Sequence, residues 1–141
     1  MVRESGLTLL EVLVALTILS IGLFGIALLQ ITAVRGNTSA NVSVLAARYA
    51  QDRLETFRRE TFGAIVSSPG ITPEGRPDLA ALSTNPEVDS IQAGKGVHIY
   101  RVWSVSDETP TLKTISVWTC WRDAGGAWHS VHLATQRGDV S

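Results

Sequence analysis

The chain is poor in cysteine, in charge and, up to Glu60, in proline. Cys120 is the only cysteine among 141 residues. One thiol excludes an internal disulfide framework and any metal site built from several cysteine ligands. Charged residues make up only 18% and the net charge is -1, so there is no basic footprint for nucleic acid. Histidine is confined to His98, His129 and His132. The last two are three apart in a segment that reads as a strand, which sends them to opposite faces and argues against a joint metal site. No G-x-S-x-G frames a serine, and Gly94-Lys95-Gly96 lacks phosphate-loop spacing. The acid pairs Glu87 with Asp89 and Asp107 with Glu108 read as solvated turns. No catalytic residue, metal site or cofactor is expected.

Apolar residues make up 45% of the chain, and much of that share lies in one run from Leu7 to Val34. A bilayer span needs about 20 such residues. The run carries one charge, Glu11. A carboxylate inside hydrocarbon costs about 2.5 kcal/mol or more, so an acid there marks a functional position. The run is longer than the core of a secretory signal, and its far end, Leu29 to Gly36, lacks an A-x-A cleavage site. The helix is therefore expected to stay attached to the mature chain. Arg3 stands against Glu4, and Arg35 follows the run, so charge orients the span weakly.

Gly22 and Gly25 interrupt the run. They mark either close helix contact or a soft point that can stretch during assembly, since each glycine costs up to about 1 kcal/mol of helix propensity. Gly36-Asn37-Thr38 weakens the helix again. From Ala40 to Glu60 an amphipathic pattern resumes, with Val42, Leu45, Ala46, Tyr49, Ala50, Leu54 and Phe57 on one face. Asp52 and Glu55 stand at pairing distance from Arg48, Arg58 or Arg59. Asn37-Thr38-Ser39 and Asn41-Val42-Ser43 match a glycosylation pattern but lie in this helical stretch and are discounted.

Pro69, Pro73, Pro77 and Pro86 fall between Phe62 and Gly96, with several glycines. Residues 63–96 are expected to form a surface loop, with one short helix near Pro77–Leu82. The remainder reads as strands over 97–105, 112–122 and 127–135, rich in β-branched and aromatic residues and parted by turn chemistry at Asp123-Ala124-Gly125-Gly126. The spacing predicts an antiparallel meander. Its hydrophobic partner is the Tyr49–Phe57 helix face. Trp103, Trp118, Trp121 and Trp128 read as sheet packing, and Cys120 as a small buried residue.

Gly6, then Leu7-Thr8-Leu9-Leu10-Glu11-Val12-Leu13-Val14-Ala15-Leu16, resembles the start of type IV pilin-like proteins. Leu19 to Gln30 looks most like the PilV-type minor pilins. The resemblance implies an α+β fold in which a long N-terminal helix packs on a small antiparallel sheet. It implies a leader over 1–6, a membrane or filament-core helix over 7–34, and a periplasmic domain over 35–141. A prepilin peptidase would cut between Gly6 and Leu7, and Leu7 would be N-methylated. Glu11 would set assembly register by pairing with a neighbour's amino terminus. The implied partners are that peptidase, major and minor pilins contacted through the N-terminal helix, an inner-membrane assembly platform and the lipid bilayer. Leu7 replaces the usual phenylalanine or methionine, and the missing helix proline fits a minor subunit or a pseudopilin better than a main fibre subunit. The expected function is structural, in priming or tip assembly of a pilus that serves adhesion, motility or DNA uptake. A type II secretion pseudopilin and a membrane-anchored binding module using loop 63–96 are the alternatives.

Overall fold

The structure is a computed structural model that describes residues 8–94 and 96–139. One helix, α1, runs Leu9–Arg59. It passes through Gly22, Gly25 and Gly36 without a break, and a methyl group built at any of them would meet nothing within 4 Å. Four strands follow: β1 Asp89–Ala93, β2 Val97–Thr109, β3 Leu112–Arg122 and β4 Trp128–Gly138. They form one antiparallel sheet in the order β1-β2-β3-β4. This is the α+β arrangement expected, a helix packed on an antiparallel meander.

The chain divides into a unit up to Ala40 and a unit from Asn41. In the second unit, α1 lays Ala46, Ala50 and Phe57 against the sheet. Ala50 and Phe57 meet Ile65, Ile115 and Val117, with Leu54, Trp103 and Leu133 packed around them. Ala46 meets Ala93, Ile99 and Trp121, flanked by Val42, Tyr49 and Val131. Small residues at Ala46 and Ala50 let the helix backbone approach the strands. Leu45, assigned to the same face from the pattern, remains 38% exposed.

Three expectations need correction. Segment 63–96 is not only a surface loop. It supplies β1, and its Ile65, Leu82 and Val88 are buried. Leu82 and Val88 pack with Val102 and Cys120 on the sheet face away from α1. Gly70, at φ 78°, permits this, because a Cβ there would lie 3.0 Å from Val88 Cγ2 and 3.3 Å from Val102 Cγ1. Residues 77–82 form turns rather than a helix. The Asp78 carboxylate accepts from the amides of Ala80 and Ala81 at 3.1 and 3.3 Å, and Pro77 bridges to Ile71. Finally, β2 continues past Val105 to Thr109 and β4 continues past Thr135 to Gly138, because each finds backbone partners on β3.

Candidate assembly surface

The site begins at Thr8. Its hydroxyl accepts from the Glu11 amide at 3.3 Å, and its carbonyl accepts from the same amide at 3.0 Å. Thr8-x-x-Glu11 has the spacing of a capping box, which satisfies amides left free at a helix start. Glu11 also stands in the first turn, where a negative charge complements the helix dipole. What the sequence reading misses is the Thr8 cap, which the T-x-x-E spacing carries. Gly6 and Leu7, the expected cleavage and methylation positions, lie outside the described residues.

Beyond the cap, α1 presents large apolar side chains to the outside. Leu10 is 74% exposed and Phe24 73%. Hydroxyls in this stretch turn inward to the helix's own carbonyls: Thr17 to Val14 at 2.7 Å, Ser20 to Leu16 at 2.7 Å and Thr32 to Leu28 at 3.0 Å. Such back-bonding suits a surface meeting hydrocarbon, where an unbonded hydroxyl would be costly. By length and composition α1 can cross a membrane.

In the second unit, polar side chains from the sheet fix the helix segment. Arg101 donates to Asp89 and, at 2.9 Å, to the Tyr49 carbonyl. Its guanidinium lies 3.8 Å from the Tyr49 ring centre, and the Tyr49 hydroxyl donates to Asp89 at 2.7 Å. Burial first, then the bond to Asp89, pushes the Tyr49 phenol well above its ordinary range. Thr119, fully buried, donates to the Ala46 carbonyl at 3.1 Å. Arg137 donates to the carbonyls of Phe57 and Glu60, meeting acceptors that a helix end leaves free. Arg53 lies over the rings of Phe57 and Trp103, which meet edge-to-face, and pairs with Glu60 at 3.1 Å. Glu55 pairs with Arg58 and Arg59 as its spacing implies, whereas Asp52 turns to Arg101 at 3.4 Å.

The remaining sequence candidates fall into place as packing. His129 and His132 stack on Trp121 and Trp118, and His129 also bonds Asp123 at 2.8 Å. Asp107 pairs with Lys113 at 3.7 Å. Cys120 is buried, and burial pushes its thiol up to about 11, which suppresses the reactive thiolate. Among the described residues, no cluster of three or more His, Cys, Asp or Glu side chains could hold a metal.

Residues 1–27 match a family model described as the prokaryotic N-terminal methylation motif. The chain opens with a prepilin-type motif. That match supports a type IV pilin-like protein, either a pilin or a pseudopilin subunit, anchored in a membrane by its apolar helix. The motif implies processing by a prepilin peptidase and assembly with other pilins. No curated protein and no solved structure matches the chain.

Proposed function

We propose that this chain is a minor subunit of a type IV pilus, of the PilV type, with a structural role in starting the filament or forming its tip. One observation carries the reading: an outward-facing apolar helix begins with a capped turn holding a single carboxylate, inside a methylation motif that covers residues 1–27. Peptidase cleavage between Gly6 and Leu7 frees an amine, and methylation modifies it on Leu7. Residues 7–34 hold the chain in the inner membrane with the domain from 35 onward in the periplasm, until the assembly platform draws the subunit into a fibre.

Glu11 then pairs with the amino terminus of a neighbouring subunit. Pairing offsets the cost of a carboxylate in a dry interface, and one axial offset alone allows it. The cap at Thr8 fixes the helical turn from which that carboxylate projects. Gly22 and Gly25 give the helix a place to yield as it moves from lipid to fibre. The unbroken helix, with no proline between Leu9 and Arg59, favours a minor subunit over a main fibre subunit.

Glu11→Ala tests this reading. The variant is expected to insert and be cleaved normally but to enter filaments about tenfold less, the effect of losing roughly 1.4 kcal/mol at an interface. Normal incorporation would remove the registry role. A deletion that spares fibres yet stops enzyme secretion would move the chain to the pseudopilins. A native N-terminus at Met1, or well beyond Val34, would leave an unrelated anchored binding module.

A further inference from the structure

The two edges of the sheet are not equivalent. Asp123 donates its amide to the Ala127 carbonyl at 3.0 Å, and Asp139 donates to Thr111 at 2.8 Å. Both bonds fall on the register that pairs Trp121 with His129 and Val117 with Leu133. In an antiparallel ladder, bonded and non-bonded pairs alternate. The odd-numbered residues of β4 therefore bond β3. The amides and carbonyls of Trp128, Ser130, His132, Ala134 and Gln136 point away from the sheet, where β4 is the last strand.

The opposite edge is closed. Ser68 donates its amide to the Trp103 carbonyl at 2.9 Å and accepts from the Trp103 amide at 2.8 Å, and Ser67 accepts from Val105 at 2.9 Å. The same alternation leaves β1 only Ser90 and Gln92 facing outward. Natural edges are usually blunted by prolines, charges or bulges. Trp128–Gly138 has no proline, lysine or acid, and its register against β3 is unbroken. Its one arginine, Arg137, is turned to the helix carbonyls. Val131 and Leu133 are half-buried on the helix side of this edge. On the other side a groove of about 510 Å³, lined by Trp118, Trp128, Ser130 and His132, adjoins it.

We propose that β4 is an assembly edge that takes an extended strand from a different subunit of the filament. This rests on the filament reading. The outward row of amides and carbonyls matches the ladder of another extended backbone. The incoming strand needs at least five residues, with aliphatic side chains beside Val131 and Leu133. A second copy does not satisfy these terms. Pairing β4 with β4 antiparallel sends the two 42–57 helix segments in opposite directions, and pairing them in parallel puts the segments on opposite faces of the extended sheet, whereas subunits drawn from one membrane into one fibre run the same way with their helices on one side. The other edge of a second copy offers only Ser90 and Gln92.

Ala134→Pro tests the proposal in the full chain in its own membrane. The Ala134 amide points outward, so proline deletes no bond to β3 and is tolerated at an edge. The variant is expected to be cleaved normally, to keep amide-exchange protection at Val131, Leu133 and Thr135, and to enter filaments about tenfold less. Ala134→Ser, which keeps the amide, is expected to behave as wild type. In assembled wild type, the amides of Ser130, His132, Ala134 and Gln136 gain protection. Should the proline variant fail to fold, Ala134→Lys replaces it, placing a charge on the open edge. Normal incorporation of the folded variant, while Glu11→Ala fails, overturns the β4 assignment and leaves the filament reading standing. Wild type absent from filaments overturns both. A disulfide-linked homodimer from Ala134→Cys in a Cys120→Ala background overturns the choice of partner.

Discussion

Helix α1 spends its apolar residues in two opposite ways. Before Ala40, Leu9 stands 83% exposed and Phe24 73%, whereas beyond it Ala46 and Ala50 are 0% exposed and Phe57 1%. The secondary structure is the same, so helix formation does not explain the difference. The second half has a sheet to cover it. The first half carries more apolar surface than a soluble monomer leaves bare, and it is bare all round rather than along one stripe. A stripe identifies a helix that packs on its own domain; a full apolar circumference identifies one whose solvent is lipid or other chains.

The sharpest test sets a phenylalanine from each half against the other. Phe57→Ala empties the centre of the first core cluster and is expected to cost about 3–5 kcal/mol, read as a loss of thermal stability of the domain in detergent. Phe24→Ala should leave that transition unchanged and alter only membrane partition or assembly. Equal effects would erase the distinction between the halves.

A smaller effect follows from the polar clasp on the second half. Arg101→Leu takes from Asp89 its cationic partner and from the Tyr49 carbonyl its donor, and is expected to cost about 1.5–3 kcal/mol, measured by denaturant unfolding. The Asp89→Asn, Arg101→Leu double variant should recover part of that loss, since the stranded charge goes with its partner.

The smallest expected effects are in pH. The Tyr49 phenol is raised above its unfolded value, so its contribution is intact below about pH 10 and fades as pH rises beyond it. Stability measured by denaturant unfolding at each pH should therefore fall more steeply above about pH 10 for wild type than for Tyr49→Phe. At the β3–β4 turn, the side-chain bond from His129, then the Ala127 amide, holds the Asp123 carboxyl below its ordinary range. That contribution is present above the unfolded carboxylate value and is lost as acid reaches the lowered one. The protection factor of the Ala127 amide, taken against its intrinsic exchange rate at each pH, should fall in acid, and Asp123→Asn should remove that dependence.

The helix, the meander and the exposed apolar run were legible because each rests on local composition: a long leucine-rich run, β-branched strands, and a glycine turn at Gly125-Gly126. Strand β1 was not. Asp89-Ser90-Ile91-Gln92-Ala93 has one β-branched residue and becomes a strand because β2 offers it a ladder. Residues 77–82 satisfy a helix-start pattern, yet Asp78 caps a turn there and Leu82 is drawn beneath the sheet. At the candidate site, Glu11 was legible from its charge among apolar neighbours. The Arg101–Asp89–Tyr49 clasp joins residues far apart in sequence, and no spacing rule brings them together. The open edge of β4 was hidden for a different reason: which amides face outward depends on the phase of the turn before it.

Beside the apolar contacts, the polar groups of the sheet hold α1 by its main chain. Arg101, Thr119 and Arg137 all donate to helix carbonyls, at Tyr49, Ala46, Phe57 and Glu60. Carbonyl oxygens persist whatever side chain a codon specifies. The outer surface of this segment, at Gln51, Glu55, Arg58 and Arg59, is thus free to change without breaking these bonds.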